Sequence, residues 1–118
     1  MCCEPLLSGS SQAQTAEALM RSRYCAHVLD KPSYVVGTYA SKQRKKLNAK
    51  SIERGMRSVT WLDLKIVSIL NGRQTDQTGE VEFIATYEVA NQKRQMKERS
   101  FFIRENSLWR YVGPTKKK

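Results

Sequence analysis

The sequence has one histidine, His27, three prolines, two tryptophans and three cysteines in 118 residues. A single imidazole excludes histidine-pair metal sites and histidine relays. With so few prolines and only six glycines, the chain is neither collagenous nor low-complexity. Acids are also scarce, 11 against 21 lysines and arginines, for a net charge of +10. Long apolar runs are missing: Asp63 and Lys65 interrupt the most apolar stretch, and the first residues lack the basic and apolar regions of a signal peptide. Cys2, Cys3 and Cys25 are odd in number with two adjacent, so no disulfide framework follows. A reducing, cytoplasmic setting with no membrane partner is the expectation.

What is present suits one globular core: 40% apolar and 27% charged residues in a chain of single-domain size. Residues 1–14 read as a leader, 15–113 as one domain and 114–118 as a basic tail. Thr15 is a helix N-cap, followed by a helix over 16–29 whose apolar side gathers Ala16, Leu19, Met20, Tyr24 and Ala26. Glu17, Arg21, Ser22 and Cys25 fall away from that stripe, while Arg23 and His27 stand near its middle. Asp30 and Pro32 open a second short helix running to Tyr39. A basic loop and a short amphipathic helix follow over 42–57.

The period then changes from 3.6 to 2. Leu62, Leu64 and Ile66 alternate, and Val81, Phe83, Ala85, Tyr87 and Val89 alternate against Glu80, Glu82, Thr86 and Glu88. Turns at Asn91-Gln92 and Asn106-Ser107 complete an antiparallel meander. Helices before hairpins predict an α+β fold with the helices on one face of a curved sheet.

Register arithmetic supplies the candidate site. With two-residue turns, Tyr87 faces Met96, Ala85 faces Glu98, Phe83 faces Ser100, Arg104 faces Trp109 and Phe102 faces Tyr111. The covered face then carries Val81, Phe83, Ala85, Tyr87, Met96, Phe102, Trp109 and Tyr111, with Glu98 and Ser100 as a polar island. A carboxylate in an apolar layer needs a partner, so Arg23 is expected to meet Glu98 as a buried pair, a structural role being preferred to a catalytic one. His27 reads as a packed residue. Ser100 lacks a nucleophile elbow, and no dinucleotide fingerprint, Walker loop, zinc-protease helix or EF-hand spacing occurs.

From 42 to 57 seven cations, Lys42, Arg44, Lys45, Lys46, Lys50, Arg54 and Arg57, meet one acid, Glu53. They could grip phosphates, but without interleaved aromatics a solvated face is the preferred reading.

Three stretches resemble a known family: Cys2-Cys3-Glu4-Pro5-Leu6-Leu7-Ser8-Gly9, Leu19-Met20-Arg21-Ser22-Arg23-Tyr24-Cys25-Ala26, and Glu98-Arg99-Ser100 with Phe102, Glu105-Asn106 and Trp109. Together with Thr60-Trp61-Leu62 they resemble the YchJ family of bacterial SEC-C-motif proteins. The resemblance implies a nuclear transport factor 2-like, cystatin-like cone, with helices laid on a bent antiparallel sheet around a pocket. It also implies a zinc motif ahead of that domain, of which this sequence keeps only the final pair, Cys2-Cys3; no metal or other cofactor is therefore expected. If a pocket forms, the family-matching Arg23, Tyr24, Trp61, Glu98, Ser100 and Trp109 are expected near it, with His27.

The leading functional expectation is a non-enzymatic binding or accessory domain for a small molecule or a protein. One alternative is a lyase or isomerase acting through the pocket, with Glu98 or His27 as acid/base and Arg23 as anion clamp. The other is RNA or ribosome association through residues 42–57. Fold relatives often pair through the outer sheet face, which leaves a homodimer open.

Overall fold

Thr15 has extended backbone, and its Oγ1 accepts from the Ala18 amide at 3.0 Å, so the first helix starts where a hydroxyl can satisfy a free N–H. The computed structural model describes residues 12–115. Helix α1 spans Ala16–Val28, α2 Pro32–Gly37, α3 Ser41–Arg44 and α4 Ala49–Arg57. Strands β1 (Thr60–Asn71), β2 (Thr78–Val89), β3 (Gln92–Glu105) and β4 (Leu108–Pro114) form one antiparallel sheet in the order β1-β2-β3-β4. This is the α+β architecture expected, helices first and packed on one sheet face. Among the described residues no helix is long and apolar enough to cross a membrane. The leader's Cys2-Cys3 and the last lysines lie outside the described residues.

Two apolar clusters form. The larger joins Ala16, Leu19 and Met20 of α1 to Val81, Phe83, Ala85, Phe102 and Trp109 of the sheet. The smaller joins Ala26, Val35 and Met56, tying α1 to α2 and α4. Because α2 covers the flank of α1, Ser22 is buried and its hydroxyl sits 2.7 Å from the Tyr34 hydroxyl. That corrects the wheel, which had turned Ser22 outward: a second helix makes a second buried face.

The Asn106-Ser107 turn is as expected: Glu105 pairs with Leu108, Arg104 with Trp109 and Phe102 with Tyr111. The other hairpin differs. Val89 pairs with Gln92, so the turn is Ala90-Asn91, both at positive φ (52° and 64°). Every β2–β3 pair moves by two residues: Ala85 faces Met96, Phe83 faces Glu98 and Val81 faces Ser100. Side chains alternate with period 2, so a two-residue slip changes partners and leaves faces intact. The inward set is therefore the one expected.

The far end of the hairpin accounts for this register. Arg104 donates from its backbone to Gln77 O and from its side chain to Asp76 O (2.6 Å), Arg73 O (3.2 Å) and Gln74 O, while its guanidinium lies 4.6 Å from the Trp109 ring centroid. One side chain thus holds the whole β1–β2 loop. That loop also meets α1: Ala16 N donates to Gly72 O at 2.9 Å. Gly72 has φ +78°, and a Cβ built on Gly79 would lie 2.5 Å from Gly72 Cα, so this crossing admits no side chain there.

On the outer face Arg99 pairs with Glu80 and Glu82 at 3.2 Å, and Lys97 with Glu82 at 3.4 Å. The open edge of β4 is covered by a single parallel bridge between Tyr39 and Tyr111, with Ala40 N donating to Tyr111 O and Tyr111 N to Thr38 O, both at 2.8 Å. Glu105 completes that junction, accepting from Ser41 N at 3.1 Å and Ser41 Oγ at 2.8 Å and so capping α3.

Candidate functional site

Between α1 and the concave sheet face lies a cavity of about 220 Å³. Helix α1 contributes Met20, Arg23, Tyr24 and His27, spaced three and four apart on one helical face. The sheet contributes Trp61 from β1, Phe83 and Ala85 from β2, Met96, Glu98 and Ser100 from β3, and Tyr111 from β4. Tyr39, from the segment after α2, closes one side. Of the residues the sequence nominated, Arg23, Tyr24, His27, Trp61, Glu98 and Ser100 meet here. Trp109 does not line the cavity; it is buried in the core beside Phe102, its indole N–H donating to Gln14 O at 3.3 Å.

Arg23 and Glu98 share the cavity, yet no ion pair joins them, which corrects the expected pair. Arg23 Nη1 instead donates to Thr38 Oγ1 at 2.6 Å and Val35 O at 2.9 Å, and the guanidinium lies 4.2 Å from the Tyr111 ring centroid and 4.6 Å from that of Tyr39. The end of α2 offers acceptors that the sequence reading left out. Two rings add cation–π attraction, which is strongest where water is displaced. Glu98 Oε2 meanwhile accepts from Ser100 Oγ at 2.5 Å and from Tyr111 Oη at 2.8 Å. Here the register matters: Glu98 stands opposite bulky Phe83, not small Ala85, so no arginine-sized gap opens over it from β2.

Burial sets the electrostatics. It lowers the pKa of Arg23, with neighbouring Tyr39 and Tyr111 acting in the opposite sense. It also pushes His27 down to about 4, helped by the Arg23 charge, so the imidazole is neutral near pH 7. The Tyr111 hydroxyl is raised well above the ordinary phenol range, by burial first and then by the Glu98 carboxylate. Tyr24 is raised by burial and by Asp63.

Among the described residues, two polar atoms of the wall are buried with no hydrogen-bond partner, His27 Nδ1 and Trp61 Nε1. Their rings meet edge-on at 5.7 Å, and Trp61 also contacts Tyr24 at 6.2 Å and Tyr87 at 5.3 Å. His27 and Trp61 border a second cleft as well, about 350 Å³, flanked by Asp30, Met56 and Arg57. The sequence reading missed Tyr39 and Tyr111 as site residues. Tyr111 carried a signal, its place on the covered face beside the polar island; Tyr39 carried none, because only the bridge to β4 brings it in.

The seven cations between 42 and 57 are all exposed. Arg57 pairs with Glu53 at 2.6 Å and Asp30 at 3.5 Å, and Arg44 donates to Tyr39 O at 2.9 Å. Among the described residues no group of three or more His, Cys, Asp or Glu side chains could hold a metal ion. Cys25 is disulfide-bonded, a correction to the reading that the cysteines set no disulfide; their spacing carries no signal for it.

Comparison with known proteins agrees with this architecture. The family model described as YchJ, middle NTF2-like (nuclear transport factor 2-like) domain, matches residues 15–114. A UPF0225 protein of Vibrio parahaemolyticus is 39% identical over 119 residues, spanning 97% of this chain and 67% of that protein. One from Actinobacillus succinogenes is 35% identical over 114 residues, spanning 97% and 73%. Among solved structures, a SEC-C motif containing protein from Rhodopseudomonas palustris superposes with a TM-score of 0.89 at 29% identity, over 99% of this chain and 90% of that one. Another, from Psychrobacter arcticus, gives 0.82 at 32% identity, over 98% and 71%. The chain therefore belongs to the YchJ (UPF0225) family and carries its middle NTF2-like domain.

Proposed function

We propose that this domain is a non-enzymatic binding module whose ligand is a small organic molecule held between α1 and the sheet. The observation that carries the reading is a cavity of about 220 Å³ walled by aromatic rings and bordered by a few polar side chains, Arg23, Glu98 and Ser100. An apolar pocket with a few convergent polar groups is the usual form of a ligand site. A fragment screen by NMR tests it: binders are expected to move the Trp61 indole N–H and the Tyr24 and Ala85 amides. Ala85→Leu, which fills the floor beside Met96, should abolish those shifts while the protein stays folded. Fragments that perturb only residues 42–57 would overturn the reading.

A second, enzymatic reading uses the same groups. Neutral His27 or Glu98 would move a proton while Arg23 holds an anionic substrate, as in a lyase or isomerase. Loss of turnover in Glu98→Gln with ligand affinity retained would favour it. The seven exposed cations support a third reading, association with RNA. Salt-dependent RNA binding weakened by Lys45→Glu and Lys46→Glu would support that one.

A further inference from the structure

We infer that the ligand is a small aromatic monocarboxylate whose carboxylate is received by Arg23. This rests on the binding reading above and adds the charge and shape of the occupant. Arg23 is 6% exposed and lines the cavity. Its contacts are the Val35 carbonyl, the Thr38 hydroxyl, the Tyr39 side chain and the face of Tyr111. Every one of these is neutral, and among the described residues no carboxylate pairs with it. A buried cation held only by neutral groups retains most of its desolvation cost, which an arriving anion offsets. The two rings and Thr38 fix the guanidinium plane before any ligand binds. A planar donor fork so held suits a carboxylate, which accepts two parallel N–H bonds.

The remaining wall limits the rest of the molecule. Glu98 lines the same cavity, and a second negative charge on the ligand would meet it across low dielectric. One anionic group is thus admitted and two are opposed. Trp61, Tyr24 and Phe83 present ring surfaces for a flat body. A cavity of about 220 Å³ falls below the range of about 300–1,000 Å³ typical of drug-sized ligands, which favours a single ring.

The test compares benzoate, benzyl alcohol and phthalate by titration calorimetry with the full chain. Benzoate is expected to bind at least tenfold more tightly than benzyl alcohol, and phthalate more weakly than benzoate. Arg23→Met should bring benzoate and benzyl alcohol within about twofold of each other. Should that variant fail to fold, the wild-type side-chain NMR signals decide: benzoate must move the Arg23 Nε–H resonance, and benzyl alcohol must leave it in place. Equal affinity for the acid and the alcohol, or benzoate binding without movement at Arg23, overturns the inference while leaving the cavity reading intact. If none of the three probes reaches the cavity, both readings fall.

Discussion

The guanidinium carbon of Arg23 stands over the ring of Tyr111, 4.2 Å from its centroid, and the hydroxyl of that same tyrosine donates to Glu98 at 2.8 Å. Tyr111 therefore stands between a cation and a carboxylate that would otherwise attract each other directly. It offers each the part of a phenol that suits it: the electron-rich face to the guanidinium, the O–H to the carboxylate.

That arrangement makes Thr38, and not Glu98, the direct side-chain partner of Arg23. In thermal or urea unfolding, Thr38→Val and Arg23→Met should couple by about 1 kcal/mol or more, because both remove one buried charge-assisted hydrogen bond. Arg23→Met and Glu98→Gln should couple by less than about 0.5 kcal/mol. A large Arg23–Glu98 coupling would restore the direct ion pair.

His27 is the sole histidine, so its ring protons can be followed without assignment. The expected midpoint is about 4. Its folded-state pKa lies below the ordinary value of 6.5, so its contribution to stability is complete above pH 6.5. That contribution falls as the pH drops from 6.5 through about 4, by about 3 kcal/mol in total. His27→Phe should flatten the stability curve in that window, and an NMR midpoint near 6.5 would refute the burial argument.

Tyr111 should ionise above the ordinary phenol range in an alkaline absorbance titration, because burial and Glu98 both oppose its phenolate. The stability it carries is present below pH 10 and lost as the pH rises through its raised folded-state pKa. Tyr111→Phe should remove the late step and cost about 1–3 kcal/mol, mostly from the donor lost to Glu98.

The Ala90-Asn91 turn holds an alanine at φ 52°. A Cβ is strained there by about 1 kcal/mol, and two-residue turns of this hand prefer Asn-Gly pairs. Ala90→Gly should therefore stabilise the protein by about 0.5–1 kcal/mol, and a loss of stability would place the register elsewhere.

Gly79→Ala should act in the opposite direction. The added methyl would sit 2.5 Å from Gly72 Cα and 3.2 Å from Ala16 Cβ, so backbone has to move; the expected cost is about 1–3 kcal/mol. Chemical denaturation measures it.

Faces were legible in the sequence where partners were not. Alternation from Val81 to Val89 and from Met96 to Phe102 fixes which residues turn inward, whatever the turn, because any even slip preserves parity. The helix wheel likewise set Arg23 and His27 over that face. What it could not carry is the second buried side of α1, where Ser22 meets Tyr34, since a wheel reports one stripe and knows nothing of α2.

In β1 the expected alternation of Leu62, Leu64 and Ile66 breaks, because an irregularity between Trp61 and Asp63 leaves Leu62 45% exposed and packs Trp61 against the core with Leu64 and Ile66. By itself, then, the chain determined the order of its elements, the N-cap at Thr15 and the inward residues of β2, β3 and β4. These follow from local hydrogen bonding and from periods of 3.6 and 2. Tertiary structure alone decided the pairing of Glu98 with Tyr111 and Ser100, the recruitment of Tyr39 by its bridge to β4, and the turning of Arg23 toward Thr38. Each depends on distances between segments far apart in sequence, and a buried charge takes whichever acceptor the packed elements bring within reach.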